Sequence, residues 1–311
     1  MEPYTSRRDR LRQTLPGQGL AALLVSHAAN RFYLSGFERY DVQCNESAGL
    51  LLVMANGEDW LLTDPRYKDS ALRRWPEERL FIYTPPSRGR VREFLEQRLA
   101  NSRVLLGVEA TGMCVDLYNF LAETLCLMPT KGLVEAPRQI KDSDEIAAIE
   151  RSCALNHRLM ERVPEMLVPG RTEREVAWEI ERFFRENGAE ELAFPSIVAV
   201  GPNAALPHAV PGDERIPEQG PVLVDVGCRL DDYCSDQTRT FWVGGRPDDR
   251  FQRTMDQVRE AQDAALAVIR PGLACGEAYA AAFASFQRHG VEAYFTHSLG
   301  HGVGLETHEP P

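Results

Sequence analysis

The sequence predicts two domains: an α/β domain over residues 1–135, and an α+β domain over residues 136–311 that contains an internal duplication. A chain of 311 residues is long for a single hydrophobic core, so two domains are expected from length alone. Three observations support this division. Strand-like and helix-like runs alternate in the first part, a turn-rich segment follows, and two similar helical units occur in the second part.

The first domain alternates apolar runs with amphipathic runs. The predicted strands are LAALLVS, GLLLVMA, DWLLTD and RVLLGVE, and the predicted helices are RRDRLRQTL, RVREFLEQRLA and LYNFLAETL. Nearly continuous apolar strands indicate a sheet that is largely buried. Neither G-x-G-x-x-G nor G-x-x-x-x-G-K-[ST] occurs, so the domain carries neither signature of a phosphate-binding loop.

The boundary between the domains lies in PTKGLVEAPRQIKDSDE, which is rich in proline and glycine. Asp142 and Glu145 at the end of this segment have the spacing of a capping box, which predicts a helix start. Pro164 is expected to bend or end this helix, because proline has no N–H to donate. The apolar face predicted from spacings of three and four residues consists of Ile146, Ile149, Cys153, Met160, Val163 and Leu167.

The second domain contains two copies of one unit. VPGRTEREVAWEIERFFRENGAEE and RPGLACGEAYAAAFASFQRHGVEA align without a gap, with Pro-Gly turns and later glycines at equivalent positions. Each copy predicts a helix end, a turn, an amphipathic helix, a glycine cap and then a strand. A chance match of two helical runs is the alternative. The identical spacing favours a pseudo-twofold arrangement with a site between the copies.

Two aspartates and one histidine suggest a metal site. Asp225 lies in the apolar run VLVDVG and Asp236 in YCSDQTRTFWVG, and the break at LDD between them predicts an antiparallel hairpin. Carboxylates on paired strands repel each other, and a divalent cation would hold them together. His301, between two glycines, adds an imidazole. Each residue alone would be read as a turn, cap or loop residue, whereas together they suit Mn, Co or Zn.

These motifs resemble those of the "pita-bread" metallopeptidases, which comprise methionine aminopeptidase, aminopeptidase P and prolidase, with creatinase as a metal-free relative. The pattern D-x-G, Y-x-S-D-x-T-R-T and H-x-x-G-H-G-x-G carries the resemblance within residues 140–311. RFYLSGF extends it more weakly to a creatinase/prolidase-type N-terminal domain. The resemblance implies two divalent metal ions (Mn, Co or Zn). Asp225 would chelate one ion, Asp236 would bridge both, and His301 would bind the other.

The resemblance also implies roles for residues outside the metal shell. His208, in a G-x-N-x-x-x-x-H segment, would bind substrate, and His308 would contact substrate and stabilise the tetrahedral intermediate. His297 would orient the site or touch substrate. Thr238 would support the ligands from outside the shell, and Arg239 would balance charge. The alternative for His208 and His308 is that both are solvated loop histidines.

The family completes its dinuclear site with two glutamates well downstream of the H-E-P segment. The sequence as given ends at Pro311, before either glutamate, and Glu306 and Glu309 are too close to His301 to replace them. We therefore expect a second domain that is C-terminally truncated here, with three of five ligands. Such a chain would bind metal weakly or singly and be close to inactive.

The function implied by the resemblance is metal-dependent hydrolysis of the Xaa-Pro bond of dipeptides, as in prolidase. Xaa-Pro aminopeptidase activity is the alternative, and the compact N-terminal domain favours the dipeptidase. Creatinase-type hydrolysis without metal is disfavoured because Asp225, Asp236 and His301 are all present. A non-catalytic pita-bread binding module is disfavoured for the same reason.

Charge and cysteine content indicate which partners and which cell compartment to expect. A net charge of -11 argues against nucleic-acid and anionic-membrane partners, and no run has the length or pattern of a membrane span or signal peptide. Seven cysteines without a C-x-x-C pair fit free thiols in the cytoplasm, with a disulfide or soft-metal role for Cys228 and Cys234 as the weaker alternative. The expected partners are small proline-containing peptides, and a homodimer is expected.

Overall fold

The computed structural model describes residues 3–41, 46–99 and 104–310. The chain divides into two compact units, Met1–Ile140 and Lys141–Pro311. Each unit is described by itself below.

The first unit is an α/β structure built on one mixed sheet. Its helices are α1 (Pro3–Thr14), α2 (Ala28–Ser35), α3 (Lys68–Leu72), α4 (Ser87–Leu99), α5 (Val115–Ala122) and α6 (Glu135–Gln139). Its strands are β1 (Leu20–Val25), β2 (Gly49–Met54), β3 (Trp60–Thr63), β4 (Leu80–Ile82), β5 (Leu105–Glu109) and β6 (Cys126–Thr130). Within the described residues the strand order is β4-β3-β2-β1-β5-β6. The β1–β2 and β2–β3 pairs are antiparallel, and the other pairs are parallel.

The four strands predicted for this unit are all present, and so are the three predicted helices. The central strand β2 is buried along its whole length, as its continuous apolar run indicated. The two edge strands, β4 and β6, were not anticipated. β4 has only three residues, and β6 contains Pro129, a residue that sheets accept mainly at their edges.

The second unit begins with the capped helix that the sequence predicted. Its helices are α7 (Ser143–Met166), α8 (Glu173–Glu186), α9 (Asp249–Val268) and α10 (Cys275–His289). Its strands are β7 (Glu191–Leu192), β8 (Ile197–Val200), β9 (Gly220–Val226), β10 (Cys228–Leu230), β11 (Tyr233–Cys234) and β12 (Gln237–Val243). The strands described form two antiparallel sheets, with orders β11-β10-β7 and β12-β9-β8.

Helix α7 confirms the predicted cap and corrects the predicted buried face. The Asp142 side chain accepts from the Glu145 N–H at 3.0 Å, and Glu145 Oε2 accepts from the Asp142 N–H at 2.9 Å. The helix continues two residues past Pro164 and ends at Met166. Met160, Val163 and Leu167 are buried as predicted, but Ile146 and Cys153 are exposed. The buried face near the helix start is instead partly polar, with Glu145, Ala148, Ser152, Leu155, Asn156 and Leu159.

The internal duplication is visible in the helices α8 and α10. Each follows a Pro-Gly turn whose glycine has a positive φ, 86° at Gly170 and 85° at Gly272. The glutamate three residues after each N-cap accepts from the N-cap N–H, Glu175 at 2.8 Å and Glu277 at 3.3 Å. The strand predicted after the second copy is wrong, because a short 3₁₀ turn, Glu292–Tyr294, occupies that place. The two copies therefore diverge after their helices.

In the part of the chain that the structure describes, no helix is both long enough and apolar enough to cross a membrane. Cys228 and Cys234, the pair considered for a disulfide, are both buried, and no disulfide joins them.

Candidate metal centre

The predicted hairpin is present, with an additional small hairpin inserted between its arms. β9 pairs with β12, and Asp225 lies opposite Thr238 in the register. Between these strands, β10 and β11 form their own pair in the other sheet. The turn of this inner hairpin is Asp231–Asp232, where φ is 51° and 70°. Short polar side chains tolerate this left-handed region better than most residues, which explains the LDD signal in the sequence.

Asp236 lies at the bend between the two hairpins and not within a strand, contrary to the prediction. It follows β11 and immediately precedes β12, so it lies where the chain passes from one sheet to the other. Burial raises the pKa of Asp236, and repulsion from the Asp225 carboxylate raises that pKa further. His301 and His308 act in the opposite direction. The two predicted carboxylate ligands are therefore electrostatically coupled, as a shared cation would require.

His301 faces the second of these carboxylates. Its Nε2 atom lies 3.4 Å from Asp236 Oδ2, and its Nδ1 atom lies 3.0 Å from the carbonyl oxygen of Gly302. A backbone carbonyl at Nδ1 favours a proton on that nitrogen and leaves Nε2 as the donor atom for a cation. The rings of His301 and His308 meet edge to face at 4.1 Å between centroids. The structure thus brings Asp236, His301 and His308 together.

The segment that follows His301 and contains His308, residues 302–309, is held by hydrogen bonds within itself and to strand β11. Gly302 and Glu309 exchange two backbone hydrogen bonds, at 2.8 and 3.0 Å. The Cys234 N–H donates to the Gly304 carbonyl at 2.8 Å. Gly302 must be a glycine, because a Cβ there would lie 2.6 Å from the Pro310 carbonyl oxygen. These contacts fix the separation of His301 and His308.

Glu309 has a structural role in this segment. Its side chain is 3% exposed, its Oε2 pairs with Lys141 Nζ at 3.2 Å, and its Oε1 accepts from the Glu306 N–H at 3.1 Å. A buried carboxylate that is already paired and hydrogen-bonded is poorly placed to bind another cation. Glu309 is therefore poorly suited to replace one of the family's downstream glutamates, as expected, and the same expectation for Glu306 stays a prediction.

Asp225 is supported by Thr238 and by polar residues of α7. Thr238 Oγ1 donates to Asp225 Oδ1 at 2.7 Å. Asn156 Nδ2 of α7 donates to the Val226 carbonyl at 2.9 Å, and Ser152 Oγ donates to the Cys228 carbonyl at 3.1 Å. The two α7 side chains therefore hold the backbone where β9 passes into β10. Sequence reasoning missed both, since polar residues on an amphipathic helix normally indicate its solvent face.

Asn156→Ala is expected to lower the free energy of unfolding by about 1–3 kcal/mol, because it leaves the buried Val226 carbonyl without this donor. The matched control is His157→Ala on the next residue of α7, whose side chain is 69% exposed. Urea unfolding of both variants measures the difference. Equal stabilities for the two variants would show that the Asn156 bond contributes nothing.

Gly227 allows the two hairpins to approach each other closely. A Cβ at this position would lie 2.1 Å from the Ser235 carbonyl oxygen and 2.7 Å from Phe194 Cε1. Gly227→Ala is therefore expected to destabilise the protein by about 3 kcal/mol, the cost of forcing extra volume into a packed site. Gly276→Ala in α10 is the control, because a Cβ there meets nothing within 4 Å. Thermal unfolding should show a large drop for the first variant and none for the second.

The remaining predicted site residues are not connected to this cluster in the described structure. His208 is exposed on the loop that follows β8, and no hydrogen bond joins it to Asp225, Asp236 or His301. His297 is exposed, and its Nδ1 lies 2.7 Å from the Ser298 carbonyl. The Arg239 guanidinium donates to the Thr238 carbonyl at 2.7 Å. The substrate, orienting and charge-balancing roles of these three residues stay predictions.

Across residues 3–41, 46–99 and 104–310, no three His, Cys, Asp or Glu side chains are grouped closely enough to hold a metal ion by themselves. The donor chemistry nevertheless fits a divalent cation. Burial raises the pKa of Asp236, repulsion between the Asp225 and Asp236 carboxylates raises it further, and His301 Nε2 lies 3.4 Å from Asp236 Oδ2. A cation between them would relieve that repulsion. Asp225, Asp236 and His301 are the residues that would hold it.

Comparison with protein-family models supports the motif analysis. Residues 147–311 match the model of metallopeptidase family M24, and residues 7–140 match the creatinase/prolidase N-terminal domain. The first match covers more than half of the chain. The chain belongs to metallopeptidase family M24. Its pita-bread and creatinase-type domains are those that the sequence predicted, and membership in M24 implies the use of divalent metal ions.

Several relatives of this M24 chain are known. A Xaa-Pro dipeptidase of Pyrococcus horikoshii is 40% identical over 67% of this chain and 61% of its own length. The corresponding enzyme of Pyrococcus furiosus is 40% identical, over 56% of this chain and 50% of its own length. An uncharacterised peptidase of Bacillus subtilis is 30% identical over 97% of this chain and 83% of its own length. The M24 chain thus spans about half to three fifths of the length of the two curated dipeptidases it matches.

Solved structures of M24 relatives share the fold over nearly the whole chain. A Xaa-Pro dipeptidase from Bacillus anthracis superposes with a TM-score of 0.89 at 30% identity, over 99% of this chain and 84% of that one. An X-Pro aminopeptidase from Thermotoga maritima superposes with a TM-score of 0.84 at 27% identity, over 98% of this chain and 83% of that one. Both types of exopeptidase therefore occur on this fold.

Proposed function

We propose that the whole protein is a metallopeptidase that hydrolyses the Xaa-Pro bond of dipeptides, using two divalent ions of Mn, Co or Zn. The observation that carries this proposal is the position of Asp236, whose carboxylate is coupled to Asp225 and lies 3.4 Å from His301 Nε2. These three residues lie in the D-x-G, S-D-x-T-R-T and G-H-G motifs through which the sequence resembles the family. Oxygen donors with one nitrogen donor suit metals of this class.

Each residue of the cluster has a distinct task in this proposal. Asp225 is oriented by Thr238 and His301 by the Gly302 carbonyl, and both would hold a cation together with Asp236. When bound, divalent cations supply Lewis-acid polarisation of the scissile carbonyl and acidify the attacking water. His308, beside His301, donates a hydrogen bond to the substrate oxygen on which negative charge develops. His208 and His297 contribute to substrate binding.

The dipeptidase assignment is supported by relatives named Xaa-Pro dipeptidase, at 40% identity in sequence and at 30% identity with a TM-score of 0.89 in structure. The second candidate is Xaa-Pro aminopeptidase activity, because the Thermotoga maritima aminopeptidase has nearly the same fold. A dipeptidase must recognise the free carboxylate that follows proline, whereas an aminopeptidase must leave room for further residues. The two activities therefore differ in substrate length.

The test compares dipeptides with tripeptides. The whole protein, loaded with Mn, Co or Zn, is expected to cleave Xaa-Pro dipeptides and to leave Xaa-Pro-Xaa tripeptides and proline-free dipeptides intact. Comparable cleavage of the tripeptides would favour the aminopeptidase. Absence of bound metal and of cleavage in every case would indicate a non-catalytic binding module.

The same proposal includes two metal ions per chain, chosen from Mn, Co and Zn. It also includes a homodimeric state and a cytoplasmic location. Elemental analysis of purified protein would count the ions, and light scattering would measure the molar mass in solution. A monomer at assay concentration would contradict the homodimer without affecting the proposed chemistry.

A further inference from the structure

The first residue of α8, Glu173, has a carboxylate that is fully buried, with 0% of the residue exposed. Burying a carboxylate is costly unless donors surround it. The helix start does not need this side chain as a cap. Thr172 Oγ1 accepts from the Glu175 N–H at 3.2 Å, and Glu175 Oε2 accepts from the Thr172 N–H at 2.8 Å. The cost of burying Glu173 must therefore be offset by another segment.

That segment is the loop of residues 200–212, which we call the His208 loop. Glu173 Oε1 accepts from the Val200 N–H at 2.8 Å, where the loop leaves β8. Glu173 Oε2 accepts from the Gly212 N–H at 2.9 Å, where the loop returns. Between these ends, Asn203 Nδ2 reaches both carboxylate oxygens, at 3.3 and 3.1 Å. One carboxylate thus fastens the two ends and the middle of the loop.

The loop backbone carries this constraint towards His208. The Leu206 N–H donates to the Asn203 carbonyl at 2.9 Å, and the Ala209 N–H donates to the Leu206 carbonyl at 3.2 Å. Ala209 is buried against Ile197, whereas His208 itself is exposed. The imidazole of His208 is therefore exposed to solvent, while hydrogen bonds hold the loop backbone before and after it.

We propose that Glu173 is a positioning residue that fixes the His208 loop for substrate binding. This inference rests on the proposed function, because it requires that His208 contact the substrate. Glu173 touches neither substrate nor metal, so its contribution is to keep the imidazole in place before the peptide arrives. Preorganisation of this kind strengthens binding, because the loop loses less conformational entropy when the substrate binds.

The test uses Glu173→Gln in the whole protein. Glutamine has nearly the same size but turns an NH₂ group towards N–H donors of the loop, so at least one of the hydrogen bonds is lost. We expect KM for a Xaa-Pro dipeptide to rise about 10- to 100-fold, the range of one hydrogen bond to a charged group. Metal content and kcat should stay near wild type. In a His208→Ala background, Glu173→Gln should raise KM no further.

Thr172→Ala is the matched control, because it removes a cap at the same helix terminus without touching the loop. It should lower the melting temperature and leave KM unchanged. If Glu173→Gln does not fold, Asn203→Ala removes the middle attachment alone and should raise KM in the same direction. A normal KM for the folded variant, or a KM effect that adds fully to that of His208→Ala, would overturn the inference.

Hydrogen exchange separates this inference from the proposed function. Glu173→Gln should speed exchange across residues 200–212, whereas Thr172→Ala should not. If His208→Ala alone leaves KM unchanged, the proposed role of His208 fails, and the positioning role fails with it. Hydrogen exchange remains informative if the whole protein has no peptidase activity. Exchange of residues 200–212 at the wild-type rate in Glu173→Gln would show that Glu173 does not hold the loop, whereas faster exchange would support this role.

Discussion

Asp236→Asn is expected to lower the peptidase activity of the whole protein by more than about 100-fold, beyond the loss typical for residues that only support a metal ligand. Asp236 interacts electrostatically with Asp225 and lies 3.4 Å from His301, so its charge would contribute most to holding a cation here. Asparagine keeps the shape and removes this charge. Metal content measured by elemental analysis should fall together with activity.

The control for this variant is Asp248→Asn. Asp248 caps α9 by accepting from the Phe251 N–H at 2.7 Å, and asparagine caps helices equally well. This control also loses one negative charge, but activity and metal content should not change. Wild-type activity should disappear with a chelator and return with Mn, Co or Zn. Full activity of rigorously metal-free protein would sink the metallopeptidase mechanism proposed for these residues.

His308→Ala is expected to lower kcat by about 10²–10³-fold, the usual effect of removing one donor to a developing oxyanion. His308 lies against His301, with 4.1 Å between ring centroids, but it is not a ligand in the proposed centre. Metal content should therefore be retained, and KM should change less than kcat. Steady-state kinetics beside metal analysis distinguishes this role from that of a ligand.

A histidine without such a neighbourhood provides the comparison for His308. His157→Ala, on the exposed side of α7, should leave both kcat and metal content unchanged. If His308→Ala loses metal as well as activity, His308 belongs to the metal shell and its proposed role is wrong. Near-wild-type kinetics would instead identify His308 as a solvated loop histidine.

Much of the fold was predictable because its strongest signals are local. The strand runs of the first unit are continuous and apolar, and the cap at Asp142 is a pattern within four residues. The pairing of Asp225 with Thr238 was predicted from the break at Asp231 and Asp232, although this turn closes the inner β10–β11 hairpin. Short edge strands such as β4 and β6 were missed, since few residues and partial exposure leave no clear periodicity.

The candidate site was predictable only in its motif residues. Asp225, Asp236 and His301 are polar residues in recognisable sequence motifs. The helix residues that hold the surrounding backbone in place belong to no such motif. Asn156 and Glu173 look like ordinary polar positions on amphipathic helices. Their partners lie 70 and 27 or more residues away along the chain, so only tertiary structure identifies them as buried. Local pattern analysis cannot detect bonds of this range.

The pairing of Gly302 with Glu309 has a consequence for how sequences of this kind can vary. Because both ends of residues 302–309 are bonded to each other, an inserted or deleted residue would shift His308 relative to His301. Most surface loops tolerate changes of length at little cost. This one should instead keep a constant number of residues in every active relative, even where the side chains between the two histidines differ. An alignment gap within it would be a practical marker of a chain that has lost the activity.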